Sequence, residues 1–436
     1  MFSSRGFRLA YFFMFFLLTF LGTGLAQVHD TITGRVSTYE AISVARPVES
    51  TEIENKFHNI LLNDLSRSSV FSIVKYSKDS PVHPELAGGH LVPVGARYLL
   101  LYGIESDNIE LTVTGYLVAA RDSKPRFARQ YKVAPSQLDL CAHQFNDDIV
   151  EQVTGTKGVA SNKIAFIADY KEDSAIYTVY PDGSRLKRIV SGPFLCLFPR
   201  FSPSRNWLIY TAYKRGFPEM FIIDVNSGKN LSVTPRLGLN SFGAISPDGS
   251  TIAATLSCSG NPEIHLLSLT GKMKKQLTAS RGCDLSPVWS GDGKRIAYVS
   301  DSSGAPHIYV MQVDDVLSGS EPKRLTWPFN AGNYCVCPDW SPKNNDVAFI
   351  KRQDGKYDVM IANADTGNVS HVATSAAQEE ALSWAPDGRH LVVSAKQGNK
   401  TGLYILDSLT GGELVGIPLG NKLTGIKNPT WSRVVH

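Results

Sequence analysis

RFSPSRNWLIYTA (200–212), AISPDGSTIAATL (244–256), VWSGDGKRIAYVS (288–300), DWSPKNNDVAFIK (339–351) and SWAPDGRHLVVSA (383–395) are one phrase written five times. Its registers step by 44, 44, 51 and 44 residues, and self-similarity at such a period marks a repeat architecture. In each copy an apolar stretch runs into Trp-Ser-Pro or a variant of it, a turn follows, and a second apolar stretch alternates with the period of two that a strand needs. Proline presets the second turn position and Asp-Gly tolerates what comes after, so the phrase predicts a hairpin.

A second phrase lies between the copies: IYTVYPDG from Ile176, MFIIDVNSG from Met220, IHLLSLTG from Ile264, IYVMQVDD from Ile308, VMIANADTG from Val359 and LYILDSLTG from Leu403. Shorter strands follow the first five, at LKRIV (186–190), LSVT (231–234), KQLT (275–278), KRLT (323–326) and HVAT (371–374). Each unit therefore holds four short strands, and six such blades make an all-β six-bladed β-propeller of WD40-like type. NPTWS (428–432) repeats the first strand of a blade, whereas KIAFIA (163–168) is a second strand with no first strand before it. The expectation is that these two pair and close the ring, removing edges that would invite aggregation.

This strand order sends the D-G turns and the links after the third strands to one face. The second-to-third links and the blade-to-blade links go to the other. Of the six cysteines, Cys196, Cys258, Cys283, Cys335 and Cys337 fall on that second face and Cys141 precedes the propeller. Six cysteines allow 15 connectivities, and Cys258 with Cys283 is the expected pair.

The first 26 residues carry Arg5 and Arg8, the apolar run LAYFFMFFLLTFL (9–21) and a small-x-small site, which reads as a secretory signal peptide cut between Ala26 and Gln27. An exported protein in an oxidising compartment follows from that reading. Residues 27–155 read as a small α/β domain. They hold a polar start over 27–38, a strand at AISVARPV (41–48), a helical stripe of Ile53, Phe57, Ile60, Leu61 and Leu65, and strands at VFSIVK (70–75), RYLLLYGI (97–104), IELTVTGYLVAA (109–120) and RFARQYKV (126–133). A helix over 135–153 ends the domain, and GTKGVASN (155–162) reads as a linker to a propeller over 156–436. Lys and Arg number 44 against 40 Asp and Glu, and the formal charge of +4 falls to +2 without the leader, too weak a balance for a nucleic-acid partner.

No G-x-x-x-x-G-K-[ST], H-E-x-x-H or G-x-S-x-G occurs in the sequence, so the simplest signals for nucleotide, zinc-protease and α/β-hydrolase chemistry are missing. His83 and His90 flank a Gly-rich stretch better explained as a loop than as a metal site, and Asp182, Asp248, Asp292 and Asp387 precede glycine in tight turns, which makes them turn residues. No catalytic, cofactor-binding or metal residues are expected. The alternative is a stand-alone propeller hydrolase acting on a sugar or lactone in the funnel, which would need carboxylates or a metal converging on the axis.

The junction YKVAPSQLDLCAHQFNDDIVEQVTGTKGVASNKIAFIAD (131–169), the W-S-P-D-G blades, RLTW (324–327) and PTWS (429–432) resemble the TolB family of periplasmic proteins, and the similarity covers nearly the whole mature chain. That resemblance implies a monomeric binding protein of the Tol-Pal system, which links the inner membrane to the outer membrane and peptidoglycan and supports constriction at division. It implies a Pal-like peptidoglycan-associated lipoprotein on the face of the blade-to-blade loops and a TolA-like inner-membrane protein at the mature amino terminus. Carried over by position, the Pal-facing residues are Leu239, Asn240 and Ser241, then Asp284 and Leu285, then Asn330 to Tyr334 with Asn333 among them. Leu239 and Leu285 stand where the family often has polar residues, and Gln27 to Ser37 departs further, so the expected partner is a diverged Pal.

Overall fold

A computed structural model describes residues 39–434, apart from 46–49, 77–94, 108, 121–124, 171–172, 235–237, 315–320, 328–332, 376–378, 398–399 and 412–413. The expected leader with Ala26 and Gln27, the polar start over 27–38 and the loop of His83 and His90 lie outside the described residues.

The amino-terminal domain is a five-stranded sheet ordered Phe71–Ile73, Glu40–Val44, Tyr98–Ser106, Leu111–Ala119, Phe127–Val133, with Glu40–Val44 parallel to both of its neighbours. Helix α1 (Glu52–Arg67) starts because Thr51 and Glu54 cap each other's backbone N–H groups. Its buried face is Phe57, Leu61 and Leu65, while Ile53 stays exposed, so the apolar stripe begins one turn later than its sequence spacing suggests. Helix α2 (Leu138–Thr154) follows a 3-10 turn at Pro135–Gln137 and stops at Gly155 in the left-handed region. Phe145 of α2 sits over the sheet at Gly115, where a Cβ would lie 2.1 Å from the phenyl ring.

Among the described residues the remaining strands form six four-stranded antiparallel sheets, here numbered as blades 1 to 6 in chain order. The inner strands are Thr424–Trp431 for blade 1, then Cys196–Phe201, Asn240–Ile245, Asp284–Trp289, Tyr334–Trp340 and Glu379–Trp384. Blade 1 joins both ends of the array: Thr424–Trp431 pairs with Ile164–Tyr170, placing Trp431 opposite Ile164 and Thr430 opposite Ala165. The closing strand is thus longer than NPTWS and starts at Thr424, and Ser432 lies just beyond it. The longer step before the fourth copy is taken up in the two links on either side of Lys323–Arg324, outside the inner strands.

Each inner strand breaks register with its neighbour, at one point in blades 2 to 6 and at two in blade 1. Phe198, Phe242, Ser286, Cys337 and Asn428 stand at these bulges with φ between 49° and 56°, a region that L-residues adopt at some cost. Pro follows four of them and Gly243 follows Phe242, where a Cβ would lie 2.5 Å from Ile209.

GTKGVASN is a packed seam, not a loose linker. Gly158 lies so close to α2 that a Cβ would fall 2.8 Å from the Asp147 Cα. The buried Asp147 carboxylate accepts the Ala160 and Ser161 backbone N–H groups at 2.8 and 2.9 Å, and the Asn162 amide donates to the Ser432 and Val434 carbonyls. Further contacts fasten the domain to the D-G face: Arg67 donates to the Gly416 carbonyl, Arg389 to the Ser69 carbonyl at 2.7 Å, and Arg185 pairs with Asp139 at 2.6 Å.

The expected Cys258–Cys283 disulfide is not formed, and all six cysteines are free. The Cys258 thiol turns to the His265 ring at 3.8 Å, whereas Cys283 packs against the apolar cluster of Leu285 and Val288, so the two side chains have separate environments. Cys196, Cys335 and Cys337 lie in inner strands, the first two where the links lead into them.

Candidate functional site

With the amino-terminal domain on the D-G face, the opposite rim is the open one. Its foundation is a motif with no counterpart among the phrases quoted above: Pro218-Glu219, Pro262-Glu263 and Pro306-His307 open the third strands of blades 2, 3 and 4. The threonine closing each L-T phrase folds back on that strand, so the hydroxyls of Thr234, Thr278 and Thr326 accept the backbone N–H of Met220, Ile264 and Ile308 at 3.0, 2.9 and 3.0 Å. Each proline carbonyl then reaches the next blade. Pro262 accepts from the Asp284 N–H at 2.9 Å, Pro306 from the Cys335 N–H at 2.9 Å, and Pro218 from the Asn240 side-chain amide at 3.2 Å. The loops are therefore fixed at both feet before any partner arrives.

The sequence-derived positions fall mostly below this surface. Asn240, Ser241, Asp284, Leu285 and Asn333 are buried, Leu239 and Tyr334 are half-buried, and Asn330 lies outside the described residues. Ser241 shares a hydrogen bond with Thr211 at 3.1 Å, and Leu239 and Ser257 exchange backbone and hydroxyl bonds. Arg352 stacks over the Tyr334 ring, 5.5 Å from its centroid. The correction is physical: the first residues of an inner strand lie beneath the links that lead into it, so position along the repeat locates the rim without locating its exposed side chains. Those include Lys214 to Gly216, Cys258 to Asn261, Ala279, Arg281, Ser302 to Gly304 and Trp327, the last 65% exposed with Arg324 stacked 4.4 Å from its ring centroid.

Two buried glutamates on this rim are treated differently. Glu219 is held by both ends of the Arg215 guanidinium at 2.8 and 3.1 Å. Glu263, at the equivalent place in blade 3, accepts the Thr278 hydroxyl at 2.6 Å and the Ser280 N–H at 3.0 Å, and the Asp284 carboxyl lies beside it. Burial and then Asp284 push the Glu263 carboxyl up to about 7, and burial together with Asp301, Asp284 and Glu263 pushes the Cys283 thiol up to about 12.

Along the axis, a cavity of about 30 Å³ toward the D-G face is lined by Arg200, Asp339, Ser383, Trp431 and Arg433 among others. Asp339 accepts from Arg200 at 2.8 Å, from Arg433 at 3.3 Å, from the Ser383 hydroxyl and from the Trp384 N–H. The carboxylate that a funnel hydrolase would call for is thus already engaged. Among the described residues no three His, Cys, Asp or Glu side chains are grouped to hold a metal.

The seam between the domains holds one network that the sequence reading passed over. His143 of α2 is fully buried, bonded through Nδ1 to Asp64 of α1 at 2.6 Å, with Nε2 3.7 Å from Asp182 of blade 1 and its ring stacked on Tyr180. Burial disfavours the charged ring, but Asp64 and Asp182 outweigh it and hold the imidazole above its usual value.

A family model described as the TolB beta propeller domain matches residues 150–435. Curated relatives include the Tol-Pal system protein TolB of Desulfotalea psychrophila, 29% identical over 166 residues, and that of Polaromonas, 29% identical over 229 residues. The matched segments cover 37% and 51% of this chain, and 37% and 52% of those two relatives. The crystal structure of TolB from Acinetobacter baumannii superposes with a TM-score of 0.78 at 23% identity, over 93% of this chain and 100% of that one, a likeness of fold.

Proposed function

This chain belongs to the TolB β-propeller family, and on that basis we propose that it is a non-enzymatic protein-binding scaffold of the periplasmic Tol-Pal system. A Pal-type lipoprotein docks on the open rim, a TolA-type inner-membrane partner takes the mature amino terminus, and the assembly supports outer-membrane integrity and constriction at division. Export follows cleavage between Ala26 and Gln27. The observation that carries this reading is the division of the two faces: the D-G face is occupied by the amino-terminal domain through Arg67, Arg185 and Arg389, which leaves the braced rim free. A ring that holds its loops rigid in advance loses little conformational entropy on docking.

Contact on this rim belongs to the exposed residues, with Leu239, Asn240, Ser241, Asp284, Leu285, Asn333 and Tyr334 as their supports. Trp327 is the expected anchor, since an exposed tryptophan stacked by arginine is the side-chain type that dominates binding energy. Calorimetric titration of the mature protein with the soluble domain of a Pal-type lipoprotein from the same organism tests it. Trp327→Ala is expected to weaken binding at least about tenfold with the thermal melt unchanged. Binding that ignores Trp327 and Arg281 alike, or that is lost on trimming the amino-terminal domain alone, would place the partner elsewhere.

A further inference from the structure

We propose that Glu263 is a positioning residue of the rim, acting through one proton held between its carboxyl and that of Asp284, so that partner affinity falls as the pH rises past neutrality. This rests on the rim reading above.

The argument begins from the contrast with Glu219. Both glutamates are buried at the first position of a third strand, yet Glu219 has Arg215 beside it and Glu263 has none. Among the described residues no lysine or arginine is bonded to Glu263 or Asp284. Asp284 is 1% exposed, its buried Oδ1 has no hydrogen-bond partner, and its carboxyl neighbours that of Glu263. Two acceptors in contact in a dry site become a donor and an acceptor only if a proton lies between them. The surrounding groups supply no neutralising charge at the pair. Cys283 and Asp301 lie behind it on the approach to blade 4, Tyr298 lies within blade 4 with Tyr309 and Glu321 beyond, and Cys258 and His265 lie on the blade 3 side. Arg281 sits exposed on the same approach.

The pair controls the rim because its bonds are the loop's bonds. Glu263 holds the Ser280 N–H, Asp284 holds the Pro262 carbonyl through its own N–H, and the exposed Ala279 and Arg281 flank Ser280. Loss of the proton sets two like charges against each other at that point and releases the approach to blade 4.

The test is the affinity of the mature protein for the soluble domain of the Pal-type lipoprotein at pH 6.0 and 8.5, with Glu263→Gln and Asp284→Asn beside the wild type. Each amide supplies permanently the hydrogen that the shared proton supplies. The dissociation constant of the wild type is expected to rise about tenfold or more across this range, and those of both variants to stay level. A level wild type, or variants that keep the slope, overturns the proposal. If no binding occurs at any pH, the rim reading fails, and the free protein then decides. Amide exchange over Ser280–Leu285, corrected for the intrinsic rate, accelerates above pH 7 in the wild type and not in the variants if the proton latch exists, and is level in all three if it does not.

Discussion

At the scale of single residues, the molecule keeps protons that an unfolded chain would release. Burial pushes Asp147 up from 3.8 to about 6 and Glu263 from 4.5 to about 7, and the paired carboxylates hold His143 above 6.5. A group whose folded value is raised stabilises the fold below its unfolded value and loses that effect as pH rises through the folded one. Rising pH therefore weakens the fold through Asp147 from about pH 4 to 6, through Glu263 from about 4.5 to 7, and through His143 above 6.5. Asp248 and Asp292, held low by the hydroxyls of Ser246 and Ser290 in their turns, act in the opposite sense and lose their contribution only in acid. Stability is expected to peak near pH 5 and to fall by on the order of 3 kcal/mol by pH 8.5. Urea denaturation across that range checks it, and a curve that climbs steadily to pH 8 would contradict it. His143→Ala should cost about 3 to 5 kcal/mol at pH 6, since it strands Asp64 in the seam.

At the scale of the element, the tryptophans that close the inner strands are not equivalent. Trp289 and Trp384 donate from Nε1 to the carbonyls of Ala244 and Asp339 in the preceding blade, whereas the buried Nε1 atoms of Trp340 and Trp431 have no acceptor among the described residues. Trp384→Phe should therefore cost about 1 to 2 kcal/mol more than Trp340→Phe, measured by urea denaturation, and equal costs would mean that only ring volume matters. The strands themselves were legible because period-two alternation and the D-G turns are local. The bulges at Phe198, Phe242, Ser286, Cys337 and Asn428 were not, because a left-handed residue inside an apolar run leaves the alternation nearly intact. The Pro-Glu and Pro-His starts were readable at a constant spacing, but their meaning lies in carbonyls that meet the next blade. The link over 155–162 looked loose for its glycines, one of which is needed for close approach to Asp147.

At the scale of the whole molecule, ring closure by Thr424–Trp431 against Ile164–Tyr170 joins both ends of the repeat array into one cooperative unit. Deleting residues 428–436 removes the fully buried Trp431 and opens an edge on Ile164–Tyr170, and should lower the melting temperature by roughly 10 °C or more and broaden the calorimetric transition. An unchanged melt would mean that five and a half blades suffice. The seam adds to this unit, since Asn162 holds the carbonyls just past the closing strand while Asp147 holds the residues just before Asn162. The same pairing dictates an order in time. A polypeptide emerging amino end first, from a ribosome or through a membrane pore, cannot finish its first blade until its last strand has come through. Ring closure therefore waits for Thr424–Trp431, however early the blades between have formed.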